Sequence, residues 1–498
     1  MEGLFPSAGR PAIMLTTLGG LCRELTNRWE PQESGKANPP LGRSRMGVDM
    51  LYGNRARRGG LMDLVAAQRW HLALVLVAFV LDLAAGHLLP ARASVAAGMA
   101  QVRARGLPVA RVPECFGVNI HFTRPRPGEM RMIAAAGFRW VRMDFVWDAT
   151  EKTRGHYDFA AYDGLLAALR RHHMRALWIL DYGNPLYQHG HPPTTPAARR
   201  AFCRWVAAAL RHFRGHGIMW EMWNEPDGTF GAPPNARAGA YSKLAVAVGN
   251  TFRAVAPREL YVGPALSGGM SLVFLRRCFQ AGVLKYFDAV TVHPYTNPDT
   301  VGAIYRRIRA LMARYAPQGR KIPLISSEWG WTTVGQGRSA ARQARGLARS
   351  FLINLSQGIA LSIWYDWHND GPDPNSSGVH FGLVRFRYHP GRKNVYTPKP
   401  AYFAARTLMR KLNGCRFVKR LKVGGADVYA LLFAGPNGNR IAVWKAGGHS
   451  PRTLLLPLQP GRYRLTNETG TRTRTLVVPP GDRRLPLSVS QYPEYLQW

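Results

Sequence analysis

Eight short apolar runs, each followed by a helical period, restrict the fold of this chain more than any other feature. They occupy residues 116–120, 140–145, 176–181, 218–226, 261–265, 289–293, 322–328 and 361–365. Amphipathic helices fill the gaps. Phe159, Tyr162, Leu165, Leu166 and Leu169 share one face, and Phe202, Trp205, Val206, Leu210 and Phe213 share another. The second of these helices opens with Thr195 as a cap and Pro196 in its first turn. Strand and helix alternating eight times predict an α/β fold, a closed parallel (β/α)8 or TIM barrel. An open doubly wound sheet is the competitor. No glycine-rich phosphate loop follows the first strand, which removes that fold's usual nucleotide rationale.

The chain has 498 residues, too many for one ordinary core. After about residue 411 the pattern changes to short strands at 428–433, 440–445, 452–456, 474–478 and 485–490, punctuated by Gly, Pro and Asn. The turn Pro436-Asn437-Gly438-Asn439 signals a hairpin. The organisation expected is a barrel over 113–410 and a C-terminal antiparallel β-sandwich domain over 411–498. With no clear aromatic platform, the sandwich reads as a buttress rather than a glycan-binding module. Residues 1–61 carry no sustained period and read as a disordered extension. Residues 62–93 read as a signal peptide: Arg69, an apolar run over 72–81, Asp82, then Ala91-Arg92-Ala93 as a small-x-small cleavage site. Its internal position suggests translation from Met62. A linker over 94–112 follows. The alternative is a membrane anchor over 71–89, but the ten-residue run is short for a bilayer and Asp82 and His87 would lie inside it. A secreted or periplasmic location is expected, with no stable membrane anchor.

The fourth run, 218–226, is apolar and tryptophan-rich apart from Glu221 and stops in Asn224, Glu225 and Pro226. Proline ends ladder pairing there, and a carboxyl boxed by tryptophans is costly unless used. The seventh, 322–328, ends the same way in Glu328, before Trp329 and Gly330. Either glutamate alone reads equally as a turn residue or salt-bridge partner. Two carboxyls at buried strand ends are what glycosidic cleavage needs, one protonating the leaving oxygen and one ionised at the anomeric carbon.

Trp223-Asn224-Glu225-Pro226 and Ser327-Glu328-Trp329-Gly330 resemble the acid/base and nucleophile strands of the retaining glycoside hydrolase clan with (β/α)8 barrels (clan A). Within it, the chain most resembles glycoside hydrolase family 39 and its bacterial exopolysaccharide-cleaving relatives. The resemblance covers roughly residues 113 to 410. It implies a secreted retaining glycosidase that cleaves β-glycosidic bonds in a polysaccharide or oligosaccharide by double displacement. Glu225 would be the acid/base and Glu328 the nucleophile. Asn224 would bind the sugar 2-hydroxyl, Arg142 and Tyr295 would hold the nucleophile, and His293 would accompany Tyr295. Trp364 would be the sugar platform, and Trp147, Tyr182, Trp331 and Trp367 are further subsite walls, each equally readable as core. A retaining mechanism requires carboxyls roughly 5–5.5 Å apart, and mutual repulsion at that distance is expected to keep the acid protonated near neutral pH.

Composition tests the alternatives. Sixty-seven Lys and Arg against 29 Asp and Glu give a net charge of +38. That excess fits an acidic glycan substrate, but singly scattered arginines argue against a nucleic-acid partner. The five cysteines (Cys22, Cys115, Cys203, Cys278 and Cys415) show no zinc spacing and read as buried thiols. No cofactor and no metal are expected. The polar loop 367–377, with His368, Asn369, Asp370, Asp373 and Asn375, reads as a specificity loop before it reads as a calcium site. The competing function is a non-catalytic carbohydrate-binding protein on a barrel scaffold.

Overall fold

The computed structural model describes residues 106–448 and 450–498. The expected extension, the signal peptide, most of the linker and Cys22 lie outside them. Strands β1 (Phe116–Asn119), β2 (Trp140–Val146), β3 (Arg175–Asp181), β4 (Met219–Met222), β5 (Leu260–Leu266), β6 (Ala289–Val292), β7 (Leu324–Ser326) and β8 (Ser362–Trp364) form one closed parallel barrel. Each pairs with the next, and β8 returns to β1 with Ile363 opposite Gly117. All eight expected runs are barrel strands. The largest boundary difference is at β4, which stops at Met222, four residues before Pro226, and β7 stops at Ser326, two residues before Glu328.

Side chains alternate across a strand with period two, and this alternation builds the site. Trp140, Leu177, Ile179, Met219, Val262, Ile325 and Ile363 form a buried apolar plug. Continuing each inward series two residues toward the C-terminal end replaces apolar with polar side chains. Trp140 is followed by Arg142 and then Asp144, Ile179 by Asp181, Met219 by Glu221, and Gly117 by Asn119. The opposite faces of β2, β3 and β4 carry Phe145, Trp178 and Trp220, whose rings pack together and against Trp205 and Phe213 of the surrounding helix layer. The helix Pro196–His212 starts as its sequence implies, with the Thr195 hydroxyl accepting the Ala198 N–H at 3.2 Å.

Beyond the barrel, β9 (Val384–Tyr388) and β10 (Tyr396–Pro398) form a small hairpin, and the helix Pro400–Lys411 leads into the β domain. That domain comprises β11 (Arg416–Arg420), β12 (Val428–Gly435), β13 (Gly438–Lys445), β14 (Arg452–Pro457), β15 (Gly461–Thr466), β16 (Thr473–Val478), β17 (Arg484–Val489) and β18 (Glu494–Gln497). An antiparallel sheet in the order β11-β12-β13-β18-β15-β16 faces the pair β14-β17, with Ile441, Leu454, Leu456, Leu465, Leu487 and Leu496 between them. Gly435 pairs with Gly438, so Pro436 and Asn437 form the hairpin loop and Gly438 takes the left-handed conformation at φ 91°. Three strands, β11, β15 and β18, escape a hydrophobicity reading. Arginines interrupt the first two, and the last is only four residues long.

The sandwich is fastened to the barrel by a buried ion pair. Arg349 meets Asp299 at 2.9 Å and donates to the main-chain oxygens of Lys445 and Gln491, both at 2.6 Å. Tyr429 and Trp444 stack beside it, 4.7 Å between centroids. Nearby Glu468 is 6 % exposed, and burial pushes its carboxyl up to about 8 despite Arg345 and Arg349. A folded-state pKa above the unfolded value means that the folded protein binds the proton more tightly. Stability is therefore expected to fall as pH rises from the ordinary carboxyl range to about 8, by at most about 1.4 kcal/mol per pH unit. Glu468→Gln should match wild type near pH 4.5 and exceed its Tm increasingly up to pH 8, measured by thermal unfolding across that range. A constant Tm difference would contradict this.

Candidate active site

The polar layer above the plug is organised by Arg142, which is 1 % exposed. Its Nε donates to Glu221 at 2.7 Å. One terminal nitrogen donates to Glu328 at 2.7 Å and Asn119 at 3.1 Å, and the other donates to Asn224 at 2.7 Å and approaches His293 Nε2 at 3.3 Å. All five N–H groups of the guanidinium are thus directed at partners on β1, β4 and the loops after β4, β6 and β7. Burial disfavours its charge, but Glu221 and Glu328 outweigh that and raise its pKa further. Burial likewise works against ionising Glu221, yet the Arg142 charge holds its carboxyl below the ordinary value. Sequence singled out Glu221 only as an interruption. Its position two residues after Met219 on an inward face is the signal that it belongs to this layer.

Glu225 and Glu328 arrive from opposite sides of the mouth. The chain leaves β4 through two non-glycine residues with positive φ, Trp223 at 64° and Glu225 at 49°. Each such conformation costs on the order of 1–3 kcal/mol and persists only where the surroundings enforce it. Here the Trp223 N–H bonds the Leu180 carbonyl and the Glu225 N–H bonds the Ala265 carbonyl, at 3.2 and 3.1 Å. Glu328 is 9 % exposed and accepts from Tyr295 Oη at 2.6 Å as well as from Arg142. Carboxylate oxygens of Glu225 and Glu328 and a ring nitrogen of His293 lie within 4.8 Å of one another. The two glutamates that sequence singled out therefore meet at one end of the barrel.

His293 is fully buried, with Nδ1 2.9 Å from Glu225 and Nε2 facing Arg142. Because Arg142 can only donate, that contact favours the neutral tautomer with the proton on Nδ1, aimed at Glu225. Burial also opposes charge on the ring, but Glu328 and the Glu225 bond outweigh it and raise its pKa. Glu225 departs from expectation. Burial works to raise its carboxyl, yet the His293 hydrogen bond and charge, with Arg142, hold it below the ordinary glutamate value. Repulsion from a second carboxyl does not keep it protonated. Glu225 and His293 instead form a pair in which a proton sits on the imidazole side.

The aromatic candidates divide. Tyr182 is half-buried at the mouth, edge-on to Trp223. Trp364 and Trp147 are corrections. Trp364 is completely buried, stacked on Trp331 and edge-on to Phe351 behind the strand. Trp147 is completely buried against Tyr187, Phe202 and Trp205, its indole N–H donated to Glu151. Neither presents a face to a ligand. Trp367 is also core, bonded to Glu129 at 3.0 Å, and Trp331 is half-buried against Trp329 and Trp364. The half-exposed aromatic at the end of β8 is Tyr365, one residue along, between His121 and Phe381. Strand alternation carries the signal: Ile363 points inward, so Tyr365, not Trp364, follows it into the mouth.

Sequence also passes over a second acidic group. Asp181 is completely buried and no donor reaches either carboxylate oxygen. Burial and the facing Asp144 carboxyl push its pKa well up. Asp366, 1 % exposed, lies 3.5 Å from His121 Nε2, and His121, Asp366 and Asp370 bring one ligand-type atom each within 4.8 Å of one another. Burial disfavours charge on His121, but Asp366 outweighs it and raises the ring to about 9, while burial and Asp366 push Asp370 up to about 7. Asp370 comes from the polar loop 367–377, where Lys399 anchors Asn369 at 2.8 Å. The four described cysteines are unpaired, three of them buried.

No protein-family model matches the chain, and no curated protein matches it. Solved structures do. A family 39 glycoside hydrolase from the gut symbiont Bacteroides cellulosilyticus WH2 superposes with a TM-score of 0.64 at 23 % identity, covering 79 % of this chain and 81 % of that one. The GH39 enzyme from Xanthomonas axonopodis pv. citri gives 0.57 at 18 %, covering 79 % and 95 %. A monomeric β-xylosidase from Caulobacter crescentus CB15 gives 0.54 at 19 %, covering 78 % and 97 %. At these identities the likeness is one of fold, and it is to barrels of the architecture described above.

Proposed function

We propose that the chain is a retaining glycoside hydrolase acting on β-linked sugars of an oligosaccharide or polysaccharide. The observation that carries the reading is the approach of Glu225 and Glu328 to within 4.8 Å across the mouth. That spacing suits direct attack by one carboxylate on an anomeric carbon, whereas an inverting pair needs roughly 6.5–9.5 Å to seat a water. Glu328 is the nucleophile: Arg142 and Tyr295 each donate to one of its oxygens and fix its orientation. Glu225 is the acid/base: it takes up a proton from solvent before the first step, gives it to the leaving oxygen, and then accepts one from the water that hydrolyses the glycosyl–enzyme. Asn224, whose side-chain oxygen is taken by Arg142, keeps its amide N–H groups for the sugar 2-hydroxyl. Tyr182, Tyr365, His121 and Asp144 wall the glycone. The folds of glycosidases in the comparison add weight, and secretion would bring the enzyme to an extracellular polymer.

The test is leaving-group dependence. Glu225→Ala should lower kcat/KM about 10²–10⁴-fold on a glycoside with a poor leaving group. Dinitrophenyl β-glycosides should lose far less, because such a phenolate departs unprotonated, and azide should restore turnover as a β-glycosyl azide. Equal loss on both substrates without azide rescue would remove Glu225 from the acid/base role.

A further inference from the structure

Among the described residues, a cluster of cations without acidic partners lies away from the mouth. A groove runs between the end of the helix Pro400–Lys411 and the outer face of β15 and β16. It has two hollows of about 410 and 310 Å³, whose linings meet where Lys411 comes near Arg464 and Arg440. The first is lined by Arg406, Arg410 and Lys411, and the second by Arg440, Arg462, Arg464 and Trp498. Arg462 and Arg464 alternate with the buried Tyr463 and Leu465, so β15 turns both guanidinium groups outward. Among the described residues no carboxylate lies within 4.0 Å of Arg406, Arg410, Lys411, Arg462 or Arg464. The cations press on one another: burial, then Arg464, Arg410 and Arg440, hold the Lys411 ammonium below its ordinary pKa. Trp498 is 44 % exposed and rests on Tyr463. Gly414, three residues past Lys411, bonds the Val112 carbonyl just ahead of β1, which sets the groove toward the barrel end opposite the mouth.

We propose that this groove binds an anionic polysaccharide, with sugar carboxylates on the arginines and sugar hydroxyls on the threonines. Guanidinium forks match carboxylates in two-point contacts, and the threonine hydroxyls of Thr469, Thr471 and Thr473 along the first hollow suit sugar hydroxyls. The Trp498 ring packs on the Tyr463 side of the strand, so it gives the arginine face none of the successive stacking platforms that a single-stranded nucleic acid needs. A concave strip does not enter the major groove of a duplex. Its place toward the barrel end opposite the mouth sets it apart from Glu225 and Glu328. The groove is thus a holding surface separate from the proposed catalysis and independent of it.

The experiment is affinity electrophoresis of the full chain carrying Glu328→Ala through gels containing polygalacturonate, dextran or duplex DNA. Polygalacturonate alone should retard it strongly, and less so as salt rises. Adding Arg462→Glu with Arg464→Glu should raise the apparent Kd at least about 10-fold, at unchanged Tm, while Arg462→Lys with Arg464→Lys should retain most binding. In the otherwise native chain, the same reversal should leave aryl glycoside turnover unchanged. Equal retardation by dextran, retardation by DNA in place of polygalacturonate, or an unchanged Kd after charge reversal would each overturn the proposal. Should the reversed protein fail to fold, Arg462→Gln with Arg464→Gln reads the same loss.

Discussion

Glu328→Ala is expected to leave a folded protein whose turnover of an aryl β-glycoside has dropped by about 10⁴-fold or more, the scale reached when a covalent nucleophile is removed. The fold should survive because the removed carboxylate is one of two on Arg142. Glu221 still accepts from Nε at 2.7 Å, so the guanidinium keeps a full counter-charge in the buried layer. Tyr295 loses its acceptor, but its ring remains packed near Phe381 and its backbone is untouched. Turnover should fail for leaving groups good and poor alike, since without the Glu328 carboxylate no glycosyl–enzyme bond forms, whether or not Glu225 protonates the leaving oxygen. That leaving-group-independent loss distinguishes the nucleophile from the acid/base, and steady-state rates on phenyl and dinitrophenyl glycosides, read beside thermal unfolding, check it. A wild-type-like rate would end the assignment. A large fall in Tm would instead give Glu328 a structural role.

The barrel is legible in the sequence because buried parallel strands read as uninterrupted apolar runs, and eight in series leave few topologies. Glu225 and Glu328 are legible because each breaks such a run at its end. The rest of the polar layer is hidden for a physical reason. Arg142 is reached only through the family resemblance, and Asp144, Asp181 and Glu221 stand inside strands, where one polar residue among apolar neighbours looks like noise until register shows that they share a level. Register is also what transfers the mouth aromatic from Trp364 to Tyr365, a one-residue slip that turns a side chain to the other face. The protonation of Glu225 is invisible for a different reason. It depends on His293, 68 residues away in sequence, whose proton placement follows from its contact with Arg142. The unpaired charge beside β15 is hidden because scattered arginines look alike until strand alternation puts Arg462 and Arg464 on one side.

Arg142→Met is expected to be the most damaging single change to stability in the barrel. It strands Glu221 and Glu328 without their cation and removes a donor from Asn119 and Asn224. Breaking a buried pair by taking one partner typically costs about 3–5 kcal/mol, because the remaining charge stays desolvated. Glu221, at 0 % exposure, has no route to water. The stranded carboxyl should take up a proton, so the variant should become relatively more stable toward acid pH, the reverse of the pairing in the native layer. With its cation, Glu221 has a lowered pKa, and that contribution to stability is present above the ordinary carboxyl range and lost as pH falls. Adding Glu221→Gln to Arg142→Met should recover part of the lost stability, since a neutral amide can be buried at lower cost, and should flatten the pH dependence. It should not restore turnover, because Glu328 still lacks the Arg142 N–H that positions its attacking oxygen. Urea unfolding of the single and double variants at pH 5 and pH 8, with activity measured alongside, separates the two effects. If Glu221→Gln rescued neither stability nor its pH dependence, the buried carboxylate would not be the source of the cost.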